Sequence, residues 1–138
     1  FRIGTGDGGG DYTSVIGNVS VNAGRNAIRC DDTGTTVVGN QAITPTNHGI
    51  ITSSSSADCA LGFNYVEGAG ANGVRTEGSV HVAVANRVTG STNQDIIDIN
   101  GANRLQANMA DDGSGQRFYV TNSESANAPN DAIWFDTA

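Results

Sequence analysis

With 138 residues, a formal net charge of −7, seven Arg and no Lys, the chain suits one acidic domain. Nineteen glycines, 37% hydrophobic residues and no i, i+3, i+4 apolar stripe exclude a helical bundle. No apolar run nears the roughly 20 residues of a membrane span, and the negative charge disfavours polyanions, so neither membrane insertion nor a nucleic-acid partner is expected.

Residues 1–12 read as a Gly-rich lead-in, and residues 13–138 as the folded domain. The stretch Gly4-Thr5-Gly6-Asp7-Gly8-Gly9-Gly10-Asp11 contains a GxGxxG match. It follows no strand pattern and opens no helix, so it fails the context a nucleotide-binding loop requires. Opening on Phe1 rather than Met suggests a processed, renumbered or partial chain.

From Asn18 onward a period sets in. Asn18, Asn40, Asn64, Asn86, Asn108 and Asn130 recur at one constant interval with a single exception, the longer step from Asn40 to Asn64. Ten positions after each Asn comes an apolar residue: Ile28, Ile50, Val74, Ile96, Phe118. Three before lie Val15, Val37, Leu61, Ala83 and Leu105, and eight after lie the hydrogen-bonders Asn26, His48, Asn72, Gln94 and Gln116. A fixed period of this length is the signature of stacked coils. Short apolar pairs between Gly and Asn punctuation make those coils out of short strands. The expected fold is all-β: a right-handed single-stranded parallel β-helix of about five to six coils of 22–24 residues.

The one longer interval is placed by counting. Ile50 to Asn64 spans fourteen residues where other coils have twelve, so two extra residues lie within Ser53-Ser54-Ser55-Ser56-Ala57-Asp58, at a corner. The Asn column is expected at a tight bend, each amide bonding to the next and each backbone tolerating the left-handed region. That inward role outweighs the glycosylation sequon Asn18-Val19-Ser20.

Candidate chemistry is sparse. Asp31-Asp32 and Asp111-Asp112 fall at different phases of the period, too separated to act as one carboxyl pair, and are expected as solvated surface acids. His48 belongs to the polar column and reads as structural, whereas His81 is expected to face outward. Neither gains a nucleophile partner. Cys30 and Cys59 sit at different phases; a disulfide across coils stays open beside two buried free thiols, the preferred reading, and no zinc spacing is present. No catalytic residue, cofactor or metal site is assigned.

Two features point to binding. The column eleven after each Asn reads Arg29, Ile51, Arg75, Ile97, Tyr119, an outward stripe of residue types frequent at contact surfaces. Near the C-terminus, Trp134 and Phe135 are expected to cap the core or bury against a neighbouring subunit.

The phrases Val38-Gly39-Asn40, Asn26-Ala27-Ile28, His48-Gly49-Ile50 and Asn72-Gly73-Val74 resemble the coils of right-handed parallel β-helix proteins of the pectate-lyase-like superfamily, over residues 13–135. That superfamily includes periplasmic copper-processing proteins and many viral tail spikes. The Lys-free composition, with eleven Asp against three Glu, resembles that of haloarchaeal or haloarchaeal-virus proteins; a small acidic secreted domain of a high-GC mesophile is the alternative. The resemblance implies a structural or binding module of an extracellular or virion appendage, a spike, fibre or decoration acting in attachment or assembly. Its implied partners are a homo-oligomer such as a trimer, other appendage proteins or a glycan. The alternative it implies is a carbohydrate-active lyase or glycoside hydrolase.

Overall fold

The structure, a computed structural model, describes residues 2–3, 12–101, 103–111 and 116–121. It is an all-β parallel solenoid of about four turns. A short strand β1 (Arg2–Ile3) precedes the regular coils. The first turn contains β2 (Ser14–Ile16), β3 (Val19–Val21) and β4 (Ile28–Cys30), and the second β5 (Thr36–Val38), β6 (Gln41–Ile43) and β7 (Ile50–Thr52). The third has β8 (Ala60–Gly62), β9 (Tyr65–Glu67) and β10 (Val74–Thr76), and the fourth β11 (Val82–Val84), β12 (Arg87–Thr89) and β13 (Ile96–Asp98). The longer β14 (Arg104–Asp111) and β15 (Gln116–Thr121) follow.

Each turn thus offers three strands, and each strand pairs in parallel with its equivalent one turn away. One face is β1-β4-β7-β10-β13. The other two join into a single sheet because β14 is long enough to pair with β11 through Arg104–Gln106 and with β12 through Met109–Asp111. The described parallel coils therefore number fewer than the expected five to six.

Between faces the chain turns through left-handed residues, one column per corner. The first column is Gly17, Gly39, Phe63, Ala85 and Ala107; the second is Asn22, Thr44, Gly68 and Gly90; the third is Tyr12, Gly34, Asp58 and Val80. The ladder asparagines follow the first column rather than forming it. The expectation that Asn itself takes the left-handed backbone is thereby corrected. The strained bend belongs to the residue before it, and Asn contributes its side chain.

The interior is filled by the repeating apolar positions, with Val37, Ile50, Leu61, Val66, Val74 and Ala83 fully enclosed. Two register facts place the insertion. Ile28 pairs with Ile50, one regular period on, but Val37 pairs with Leu61, a step longer by two positions. Beyond it Ala60 pairs with Val82, again at the regular period, so the extra residues lie between β7 and β8. Small residues admit large ones across the core. A Cβ on Gly49 would lie 2.3 Å from Val66 Cγ1, and one on Gly73 would lie 2.0 Å from Val88 Cγ1. In the first turn Ala27 occupies the equivalent position, and its counterpart one turn on is Ala42, both buried.

Among the described residues, the parallel stacking gives way at β15. It runs antiparallel to β14, opposing Met109 to Phe118 and Asn108 to Tyr119. Phe118 and Tyr119 therefore do not extend the columns of Ile96 and Ile97. Asn130, Trp134 and Phe135 lie outside the described residues.

Candidate functional site

Many buried polar side chains in this core, both histidines among them, occur in ladders. Asn18, Asn40, Asn64, Asn86 and Asn108 form one. Their Nδ2 groups donate to the next Oδ1 at 3.1, 3.0, 2.8 and 2.9 Å. Each accepting Oδ1 also takes the backbone N–H of the preceding Asn, as from Asn40 to Asn64 at 2.9 Å. Asn18 is the half-buried first rung, and its amide is committed to Asn40 and the Ile16 carbonyl.

A second ladder runs through Asn26, His48, Asn72 and Gln94. His48 N–H donates to Asn26 Oδ1, Asn72 N–H to His48 Nδ1 and Gln94 N–H to Asn72 Oδ1. A third contains Cys59, His81 and Asn103: Cys59 N–H donates to His81 Nδ1 at 3.1 Å, and His81 N–H donates to Asn103 Oδ1 at 2.8 Å. His81 is only 1% exposed, which corrects its expected outward position. Counting back two residues from the buried Ala83 places it inside by strand alternation. Burial pushes both histidines below the ordinary imidazole value; the nearby Arg75 charge adds to this at His48, while Asp98 and Asp58 oppose it at His81. Both act as neutral acceptors through Nδ1.

Cys30 and Cys59 are free, buried thiols. Burial raises both, and at Cys30 the Cys59 thiol and the Asp31 and Asp32 charges raise it further. Among the described residues, no group of three or more His, Cys, Asp or Glu is placed to hold a metal ion.

The outward stripe is continuous in the first face. Arg29 pairs with Ile51, Ile51 with Arg75 and Arg75 with Ile97. The register adds Arg2, paired with Arg29, at its start. Tyr119 lies on β15 in the other sheet, so among the described residues the stripe runs to Ile97. Ile51, in register between Arg29 and Arg75, is only 5% exposed. The stripe is a half-buried ridge rather than a flat solvated row.

Asp31 organises its first end. The carboxylate is buried, and it accepts Arg2 Nε at 2.7 Å on one oxygen and Arg29 Nε at 2.7 Å on the other. Burial alone would raise this carboxyl, but the two guanidinium hydrogen bonds outweigh it and hold its pKa below the ordinary Asp value. The expected solvated acid is therefore an internal anchor. Two turns on, Arg75 forms an ion pair with Glu77, at the same two-residue spacing and 2.6 Å. Asp32 is also buried, and neither carboxylate oxygen has a hydrogen-bond partner among the described residues.

Beside the anchor opens a cleft of about 490 Å³ lined by Arg2, Arg25, Asn26 and Arg29. Three of the seven arginines of an acidic chain thus converge on one place. The sequence pattern does not reveal it. The step from Arg2 to Arg29 is five positions longer than the repeat, so the period could not align them. Arg25 lies in the turn between β3 and β4, where no column singled it out.

No protein family, curated protein or solved structure matches this chain. Its site is therefore read from its own geometry.

Proposed function

We propose that this chain is a structural and binding module of an extracellular or virion appendage, acting in attachment or assembly through its first face. The observation that carries this reading is the in-register ridge Arg2–Arg29–Ile51–Arg75–Ile97. Arginine and isoleucine held in fixed rows by a rigid sheet give a surface that loses little conformational entropy on contact. Alternating guanidinium and aliphatic groups suit a homo-oligomer, a neighbouring appendage protein or a glycan. A right-handed coil is part of the proposal. It draws on the rule that about 98% of parallel strand crossovers in one sheet are right-handed. Pectate-lyase-like membership and a halophilic source belong to the same proposal and draw on the coil phrases and Lys-free composition.

The test is a double variant, Arg75→Glu with Ile97→Asp, alongside the unaltered chain. Light scattering would report self-association, and a panel of immobilised neutral and acidic glycans would report attachment. Loss of either property with an unchanged circular dichroism spectrum supports the reading. If self-association and glycan retention both match the unaltered chain, the first face is not the contact surface.

A further inference from the structure

The described residues that line the cleft beside Asp31 are three arginines and an asparagine, a set rich in hydrogen-bond donors. Arg2 and Arg29 each donate Nε to Asp31, which anchors both guanidiniums and leaves their terminal NH2 groups with further donor capacity. Arg25 is exposed, and no carboxylate pairs with it among the described residues. Asn26 also lines the cleft, and its Oδ1 accepts the His48 N–H.

Charge sets the size of ligand. Three guanidiniums line the cleft and two of them share one carboxylate, Asp31, so the lining itself carries a positive excess. The chain as a whole is strongly acidic, with a net charge of −7, so an extended polyanion would be repelled along most of its length. A single compact dianion meets the local excess without that repulsion. A phosphate monoester carries about −1.5 to −2 charges at neutral pH and three acceptor oxygens. Guanidinium forks match its geometry in a way that one ammonium group does not. The space is far larger than a bare oxyanion needs and leaves room for a carrier of sugar size.

We propose that Arg2, Arg25, Asn26 and Arg29 form a binding site for a compact dianionic oxyanion, a phosphate group borne on a small carrier. Asp31 is the positioning residue that holds two of the three guanidiniums. The inference rests on the attachment reading only for the biological source of the ligand, not for its chemistry.

The experiment titrates the full chain with inorganic phosphate, glucose 6-phosphate and glucose at constant ionic strength, following the backbone amide and arginine Nε signals by NMR. Saturable shifts confined to residues 25–29 and Arg2 are expected with the two phosphates and not with glucose. Tighter binding of glucose 6-phosphate than of phosphate identifies an ester as the ligand; equal binding identifies the free oxyanion. Arg25→Gln should weaken binding by about tenfold or more, as loss of a charge-assisted contact does. Arg87→Gln, on another face, should leave it unchanged. Arg25 is exposed, so its replacement does not endanger the fold. Shifts that sodium chloride reproduces, or binding that Arg25→Gln leaves intact, would overturn the proposal. Because it needs neither oligomer nor receptor, the titration fails or succeeds independently of the Arg75 and Ile97 variants.

Discussion

Asn64 and Asn86 are bound to each other twice: Asn64 Nδ2 donates to Asn86 Oδ1 at 2.8 Å, and the Asn64 backbone N–H reaches the same oxygen at 3.1 Å. Asn64 Nδ2 also donates to the Val37 carbonyl at 2.9 Å, and its own Oδ1 accepts twice from Asn40. All of this happens at 1% exposure. A side chain with two donors and two acceptor sites is fully used, which is why one amide per turn satisfies the corner without water.

Asn64→Ala should therefore cost about 3 kcal/mol or more, since several buried partners lose their bonds at once, each worth about 1–3 kcal/mol when left unsatisfied. Asn64→Asp should also destabilise despite its shape, because it removes both donors and turns an anionic oxygen toward Asn86 Oδ1. Asn18→Ala should cost distinctly less: that rung is half-buried and has no rung before it among the described residues. Urea unfolding of the three variants checks the order. Equal losses for Asn18→Ala and Asn64→Ala would show that the ladder is not the source of stability.

The period was legible because stacking forces equivalent residues into one environment, so Asn, Ile/Val and the polar column recur at fixed intervals. The insertion was legible for the same reason: Ile28 to Ile50 keeps the period while Val37 to Leu61 does not. Features set by contacts from outside the period were not legible. Asp31 reads as a surface acid until Arg2, five positions out of phase, is brought beside Arg29. Tyr119 keeps the spacing of the stripe, but chain direction reverses before it, and spacing alone does not encode direction. The left-handed columns were hidden because Phe63, Val80 and Ala85 occupy sites that glycine fills elsewhere in the same columns.

The glycine–valine pairs across the core give a sharper test of packing. Gly73→Ala places a methyl 2.0 Å from Val88 Cγ1 and 2.7 Å from the Asp95 carbonyl oxygen. Overpacking of this kind costs about 1–3 kcal/mol. Adding Val88→Ala recreates the Ala27–Ala42 combination of the first two turns and should return part of the loss, leaving the contacts with the Asp95 backbone and the Ser91 hydroxyl. A double-mutant cycle by thermal unfolding should show a favourable coupling of about 1 kcal/mol or more. Strict additivity would mean that the two positions do not press on each other.

The histidines make stability depend on pH. Burial holds His48 and His81 below their unfolded pKa, so the unfolded chain binds more protons as pH falls toward and below 6.5. Their contribution is full above the unfolded value and is lost on acidification. Protonation also destroys the Nδ1 acceptors that hold the Asn72 and Cys59 N–H groups. Stability should therefore fall between pH 7 and pH 5, before the Asp31 anchor, also depressed in the fold, is lost at lower pH. His48→Asn and His81→Asn put into each column a residue it already contains elsewhere, Asn26 or Asn72 in one and Asn103 in the other. The double variant should retain the fold and flatten the slope. A slope left unchanged would assign the acid sensitivity to the carboxylates alone.

At Val80 the backbone opposes the side chain. Its φ is +61°, a left-handed conformation that a β-branched residue tolerates poorly, and Gly34 occupies the equivalent corner two turns earlier. The strain of an L-residue there is about 1–2 kcal/mol. The extra unfolded-state freedom of glycine takes back about 0.5–1 kcal/mol. Val80 is 65% exposed, so its removal forfeits little burial. Val80→Gly should thus stabilise the chain by a few tenths to about 1 kcal/mol, whereas glycine at Val82, two residues on and within β11, should destabilise it. Chemical unfolding of the pair gives opposite signs if the corner sets the effect. Destabilisation by both would mean that the Val80 side chain contributes more through contact than it costs through strain.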